Sequence, residues 1–150
     1  MGGPSHSGGL PPAIPDLRVL IADDHQLFAS AVKSVLETYP WLHVVGCAAN
    51  GREAVELAAA LSPDVVLIDL DMPVMDGLEA TRLILERSSV NVVMLSGSSS
   101  PGSAAEAKDA GVYAFLRKDG DPTELVAHLR ELASRSCSPP RRRRTSPATA

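Results

Sequence analysis

Asp64-Val65-Val66-Leu67-Ile68-Asp69-Leu70-Asp71-Met72-Pro73 carries four aliphatic residues in a row, with an acid before them and another after. An apolar run this short, without polar alternation, suits a strand covered on both faces. Other runs share its build. Val19-Leu20-Ile21-Ala22 ends on Asp23 and Asp24, Val92-Val93-Met94-Leu95 ends on Ser96, and Phe115-Leu116-Arg117 ends on Lys118. Strands are predicted over residues 18–22, 44–48, 65–68, 92–95 and 114–117. Ligands of an open parallel sheet bind in the crevice at the carboxyl ends of its strands. Three carboxylates, a hydroxyl and an ammonium would therefore meet at one sheet edge as a compact ionic site.

Helical patterns fill the gaps. Residues 25–38 place Leu27, Phe28, Ala31, Val32, Val35 and Leu36 on one stripe. Asn50 is positioned to cap a helix over 51–61, with Glu53 as its capping-box partner. Further helices are expected over 78–87, about 103–110 and 122–133, the last with Asp121 as cap and Pro122 in its first turn. Five strands alternating with five helices make a doubly wound α/β domain of three layers. The fourth helix offers Ala104, Ala105, Ala107 and Ala110 but no large apolar residue. It should bury little area, pack loosely and be the most mobile part of the domain.

The 150 residues fit one domain. Hydrophobic residues make up 45% and aromatics only 3%, so the core must be aliphatic. Residues 1–16 and 135–150 are rich in Gly, Pro and Ser and read as a disordered leader and tail around a domain at 17–134. That domain holds 17 of the 18 acidic residues and 9 of the 14 lysines and arginines. An acidic body is a poor nucleic-acid surface, so direct DNA binding is not expected. Arg141, Arg142, Arg143 and Arg144 belong to the tail and read as a solvated basic run. Cys47 lies in an apolar run and reads as a small buried hydrophobe; Cys137 lies in the tail. No apolar stretch is long enough for a membrane span, and Pro and Gly interrupt the N-terminus where a signal peptide needs its apolar region. The cytoplasm is the default location.

Asp23-Asp24-His25-Gln26-Leu27-Phe28, the stretch from Asp64 to Pro73, Met75-Asp76-Gly77 and Gly111-Val112-Tyr113-Ala114-Phe115-Leu116-Arg117-Lys118-Asp119 together resemble the receiver domain of two-component response regulators, most closely its NarL/FixJ type. The resemblance covers about residues 17–134. It implies a flavodoxin-like sheet of order 2-1-3-4-5 and Asp69 as phosphoacceptor. It also implies a magnesium (or manganese) ion held by Asp23, Asp24, Asp69 and the backbone carbonyl of Asp71. Ser96 and Lys118 would contact the phosphoryl oxygens, and Ser96 with Phe115 would form a switch. A sensor histidine kinase or phosphotransfer protein would be the phosphoryl donor, a downstream protein the target, and a homodimer is compatible with the family.

The residue chemistry points the same way. A hard divalent cation takes carboxylate oxygens together with water and phosphate, and a carboxylate nucleophile attacking phosphorus becomes an acyl phosphate. His25 reads as a polar residue opening the first helix. Members of this type usually continue into a helix-turn-helix, but residues 135–150 are too few and too poor in apolar side chains to form one, which suggests a receiver acting through another protein. Two alternatives remain. One is a receiver-like binding module that works without phosphorylation. The other is a magnesium-dependent phosphatase of the haloacid-dehalogenase type using Asp69-Leu70-Asp71, although that motif normally follows the first strand rather than the third.

Overall fold

A computed structural model describes residues 14–97 and 101–136. Its strands are β1 (Leu17–Ala22), β2 (Leu42–Ala48), β3 (Val65–Asp69), β4 (Asn91–Ser96) and β5 (Ala114–Arg117). Its helices are α1 (Gln26–Glu37), α2 (Gly51–Leu61), α3 (Gly77–Arg87), α4 (Pro101–Ala110) and α5 (Pro122–Ser136). The sheet is parallel throughout and ordered β2-β1-β3-β4-β5, as expected. The chain leaves β1 toward one edge and β3 toward the other. The crevice between these two strands is the topological switch point.

Alternation along the strands builds two cores. Val19, Ile21, Val65, Leu67, Val93 and Leu95 face α1 and α5, against Leu36, Leu125 and Leu129. Leu20, Val66, Ile68, Val92 and Met94 face the other way, against Ala54 of α2, Ala80 and Ile84 of α3 and Ala107 of α4. β3 is buried along its whole length, so Asp69 at its end is carried inward with it. Among the described side chains of α4, Ala107 is the fully buried one, in line with the sparse apolar content of that helix. No helix among the described residues is long and apolar enough to cross a membrane.

The caps follow the sequence closely. Asn50 accepts the Glu53 N–H at 2.9 Å, although the Glu53 carboxylate reaches back to the N–H of Ala49 rather than to that of Asn50. Asp121 accepts the Thr123 N–H at 2.9 Å. Asp76 caps α3 through the Glu79 N–H, and so starts that helix at Gly77, one residue earlier than the pattern suggested.

Two expectations need correction. The α1 stripe is wider than the contact the sheet offers. Ala29 and Leu36 are buried, with Phe28 and Val32 packed partly against the core, while Ala31 and Val35 are exposed and Leu27 is 89% exposed. Cys47 is exposed rather than buried. It lies on the edge strand β2, where a register shift between Val19 and Leu20 pairs Leu20 with Gly46 and sets Cys47 beside Ile21. An edge strand has a neighbour on one side only, so apolar composition does not ensure burial there. The expected leader falls mostly outside the described residues, although Ile14 packs against the core. The tail, with Cys137, falls outside them beyond Ser136, and α5 runs past the expected domain end at residue 134.

Residues 70–76, which follow Asp69, are held by close backbone contacts. Gly51 N–H donates to Met75 O at 3.0 Å, and a Cβ on Gly51 would lie 2.1 Å from that oxygen. Gly77 N–H donates to Leu70 O, and its own Cβ would meet Asp69 O. Val74 is 75% exposed at φ 71°, a left-handed conformation that a β-branched residue holds only under strain. Gly51→Ala should therefore destabilise the domain by about 1–3 kcal/mol through overpacking. Thr81, a fully buried hydroxyl without a partner, gives the opposite sign: Thr81→Val should stabilise by about 1 kcal/mol. Urea unfolding midpoints at unchanged m-value check both.

Candidate functional site

The strand ends bring Asp23, Asp24, Asp69 and Lys118 to the switch point. Asp23 follows β1, and its N–H donates to Ala48 O at 2.9 Å. Asp69 ends β3, and the next residue, Leu70, donates its N–H to Leu95 O on β4. Lys118 follows β5 and donates its N–H to Ser96 O, also at 2.9 Å. This backbone lattice sets the side chains. Lys118 Nζ stands 2.7 Å from Asp23 Oδ2 and 3.4 Å from Asp69 Oδ2. The same ammonium lies 4.4 Å from the centre of the Phe28 ring, which fixes its approach from the α1 side.

Asp23 and Asp69 are 4% and 2% exposed, while Asp24 stays more open at the rim. Asp23 Oδ2 and Asp69 Oδ2 are buried, and the Lys118 ammonium meets both as an ion pair. Burial is the leading cause that pushes the Asp69 carboxyl above its ordinary range, and the neighbouring Asp23 charge adds to it. Lys118 and the Asp71 N–H, which donates to Asp69 Oδ1 at a long 3.4 Å, oppose the shift without cancelling it. One ammonium among three carboxylates leaves the pocket with surplus negative charge. Oxygen donors and uncompensated negative charge fit a hard divalent cation.

Ser96 is fully buried one residue past Leu95, which pairs with Asp69. By alternation it shares a sheet face with Met94 and with Phe115, the β5 partner of Met94, and Phe115 packs partly into the core beside α4. The described contacts place Asp71 at the pocket through its N–H. Next to Lys118, Arg117 and Asp119 form an exposed bidentate pair, and the arginine holds the Asp119 carboxyl below its usual range.

One member of the site did not stand out in the sequence. His25 is the N-cap residue of α1, yet its side chain makes no capping bond. Its N–H donates to Asp23 Oδ1 at 2.8 Å. Its Nδ1 lies 3.3 Å from Asp23 Oδ1, 3.4 Å from Asp24 Oδ1 and 3.5 Å from Lys118 Nζ. The available signal was its place directly after two acids at a strand end, where the chain must turn back over the pocket.

Comparison with known proteins agrees with this geometry. A family model described as the response regulator receiver domain matches residues 19–130. Over 122 residues the chain is 41% identical to a protein-glutamate methylesterase/protein-glutamine glutaminase of Alkalilimnicola ehrlichii, a match that covers 77% of this chain and 31% of that protein. The chain thus spans about a third of the length of that curated relative. The signal receiver domain of the response regulator NarL from Mycobacterium tuberculosis superposes with a TM-score of 0.76 at 34% identity, covering 80% of this chain and 98% of that one. The response regulator domain of Thermotoga maritima CheB gives 0.74 at 31% identity, covering 79% and 97%.

The raised Asp69 ionisation carries a stability prediction. A carboxyl whose folded-state pKa is raised favours folding in its protonated form, so its contribution is present at acid pH and is lost as pH rises through the folded value. With EDTA present, Asp69→Asn should melt a few degrees above the parent at pH 7. The gap should narrow as pH falls toward the ordinary carboxylate range. A variant less stable at pH 7, or a gap independent of pH, contradicts this electrostatic picture.

Proposed function

The chain belongs to the response regulator receiver domain family, and on that premise we propose that it accepts a phosphoryl group on Asp69 from a sensor histidine kinase or phosphotransfer protein and signals by protein–protein contact. One observation supports the reading: the buried Asp69 carboxylate, paired with the Lys118 ammonium, meets two further carboxylates at the switch point. This is a site with a nucleophile and with charge to organise around it.

In the transfer, an Asp69 carboxylate oxygen attacks phosphorus and the bond from phosphorus to the donor imidazole breaks. The electron pair leaves with that nitrogen, and Asp69 becomes an acyl phosphate. Asp69 is held rigid by β3, and residues 70–76 are pinned by Gly51 and Gly77, so the nucleophile is placed before the donor arrives. Lys118 neutralises a phosphoryl oxygen, and the Ser96 hydroxyl donates to another. A magnesium or manganese ion, held by Asp24, Asp69 and the Asp71 carbonyl with Asp23 behind it, would supply the remaining positive charge. Phosphoryl transfer depends mainly on such positioning and charge stabilisation.

The output follows from the shared face of Ser96 and Phe115. Once Ser96 is drawn to the phosphoryl group, the space it leaves on that face admits the Phe115 ring, and the surface formed by α4 and β5 changes shape. Phe115 lacks a hydroxyl, so packing alone holds its inward position. The reading places the chain in the cytoplasm, where such donors present their phosphohistidine. It makes the chain an acceptor whose only chemistry is its own phosphorylation and dephosphorylation. A domain boundary near residue 17 and an end at α5 accompany it. Similarity to a methylesterase/glutaminase supports a catalytic partner of that kind as one output to test.

Incubation with acetyl phosphate and magnesium should add one phosphoryl group by intact mass, and Asp69→Asn should abolish the gain. No adduct, even when beryllofluoride is offered as a trap, favours the phosphorylation-independent module instead. Ser96→Ala should still take the phosphoryl group but lose the phosphorylation-induced NMR shifts at Phe115 and α4. Unchanged shifts in that variant contradict the switch.

A further inference from the structure

A hollow opens at the opposite pole of the sheet, where β3 and β4 begin. It encloses about 660 Å³ between the last turns of α2, α3 and α5, a size within the range of small-molecule sites. Its wall is apolar where it meets the cores, formed by Val55 and Ala58 of α2, Ile84 of α3 and Leu132 of α5. The frame around it is tied down. Asp64, just before β3, accepts the Arg18 N–H at 2.8 Å, and the Arg18 guanidinium donates to Ser62 O at 2.7 Å. Asn91 N–H donates to Asp64 O at 3.3 Å, which joins the starts of β3 and β4. Other polar groups at the hollow are left over. Among the described residues, the half-buried Asn91 side-chain amide has no hydrogen bond and the Arg87 guanidinium pairs with no carboxylate. Arg135 lies 5.5 Å from the centre of the Tyr113 ring and likewise meets no described carboxylate.

We propose that this hollow binds a small organic anion, with an apolar ring or short chain seated on the wall and a carboxylate or phosphate head held by Arg87 and Arg135. Charge decides the sign of the ligand. Residues 17–134 carry 17 acids against 9 lysines and arginines. The hollow reverses that balance, because it sets two guanidiniums against Asp64 alone, and Asp64 is already engaged by the Arg18 N–H. The planar guanidinium fork matches both kinds of head group. A basic residue in a last turn also complements the helix dipole, and Arg87 and Arg135 are so placed. That role asks for neither an apolar space between the two arginines nor an unpaired amide beside them. Asn91 supplies a further hydrogen bond to the ligand. The proposal is independent of phosphorylation, since Asp69 lies at the other end of β3.

The test is a titration of the full chain with naphthyl phosphate in the presence of EDTA, followed by NMR of the backbone amides. Saturable shifts should appear at Val90, Asn91 and Leu132. Arg87→Gln should weaken binding about tenfold, through the loss of one charge-assisted contact. Ala58→Phe, which fills the hollow from α2, should abolish binding, whereas Asp69→Asn should bind as tightly as the parent. Arg87 is exposed and in no described ion pair, so its variant keeps the fold, which an unchanged melting temperature checks. Shifts that are absent from the parent, that saturate elsewhere, or that survive Arg87→Gln undiminished overturn the proposal. Loss of binding in Asp69→Asn also overturns it, because the anion then occupies the phosphoacceptor pocket. So does inorganic phosphate that binds as tightly as the naphthyl ester, since the apolar wall would then contribute nothing.

Discussion

Three carboxylates and one ammonium gathered at a single sheet edge set the terms for the rest of this molecule. Burial makes a charge costly, and Asp23 and Asp69 are both buried beside each other. Lys118 offsets part of that cost from 2.7 Å and 3.4 Å. The remainder is left as an attraction for positive charge and as a raised ionisation of Asp69. A protein built for stability alone would not keep this arrangement. On the proposed reading it is intelligible as a site completed by a cation, whose positive charge is needed all the more once a phosphoryl group adds negative charge at Asp69.

The two sides of this site are built differently. Asp69 ends the most deeply buried strand, and the glycines at 51 and 77 allow backbone-to-backbone approach that no side chain would permit. On the far side, Ser96 and Phe115 share the sheet face that α4 covers, and among the described side chains of α4 only Ala107 is fully buried. On the proposed reading, local charge at the pocket would bias this sparsely apolar helix, and the β1–β3 pair need not move.

Much of this was legible in the sequence because each strand announced both its apolar run and the residue at its carboxyl end. Asp23, Asp24, Asp69 and Lys118 were identified from that pattern, and the structure brings them together. The caps at Asn50 and Asp121 were equally readable, since they depend on local hydrogen bonds. What the sequence concealed depends on tertiary placement. Cys47 is apolar by neighbourhood but lies on an edge strand with shifted register, and Leu27 belongs to a stripe wider than the surface available to it. His25 looked like a helix opener. Only the turn that follows Asp23 shows its ring at the carboxylates.

The central claim is that Asp69, its carboxylate neighbours and Lys118 form one site for a divalent cation and a phosphoryl group together. Fluorine NMR with beryllofluoride tests both halves at once, because the trifluoroberyllate group imitates the acyl phosphate. The account predicts a protein-bound fluorine signal that requires Mg2+ and disappears in Asp69→Asn. A bound signal that persists without Mg2+ or without the Asp69 carboxylate, or no bound signal at all, would contradict it.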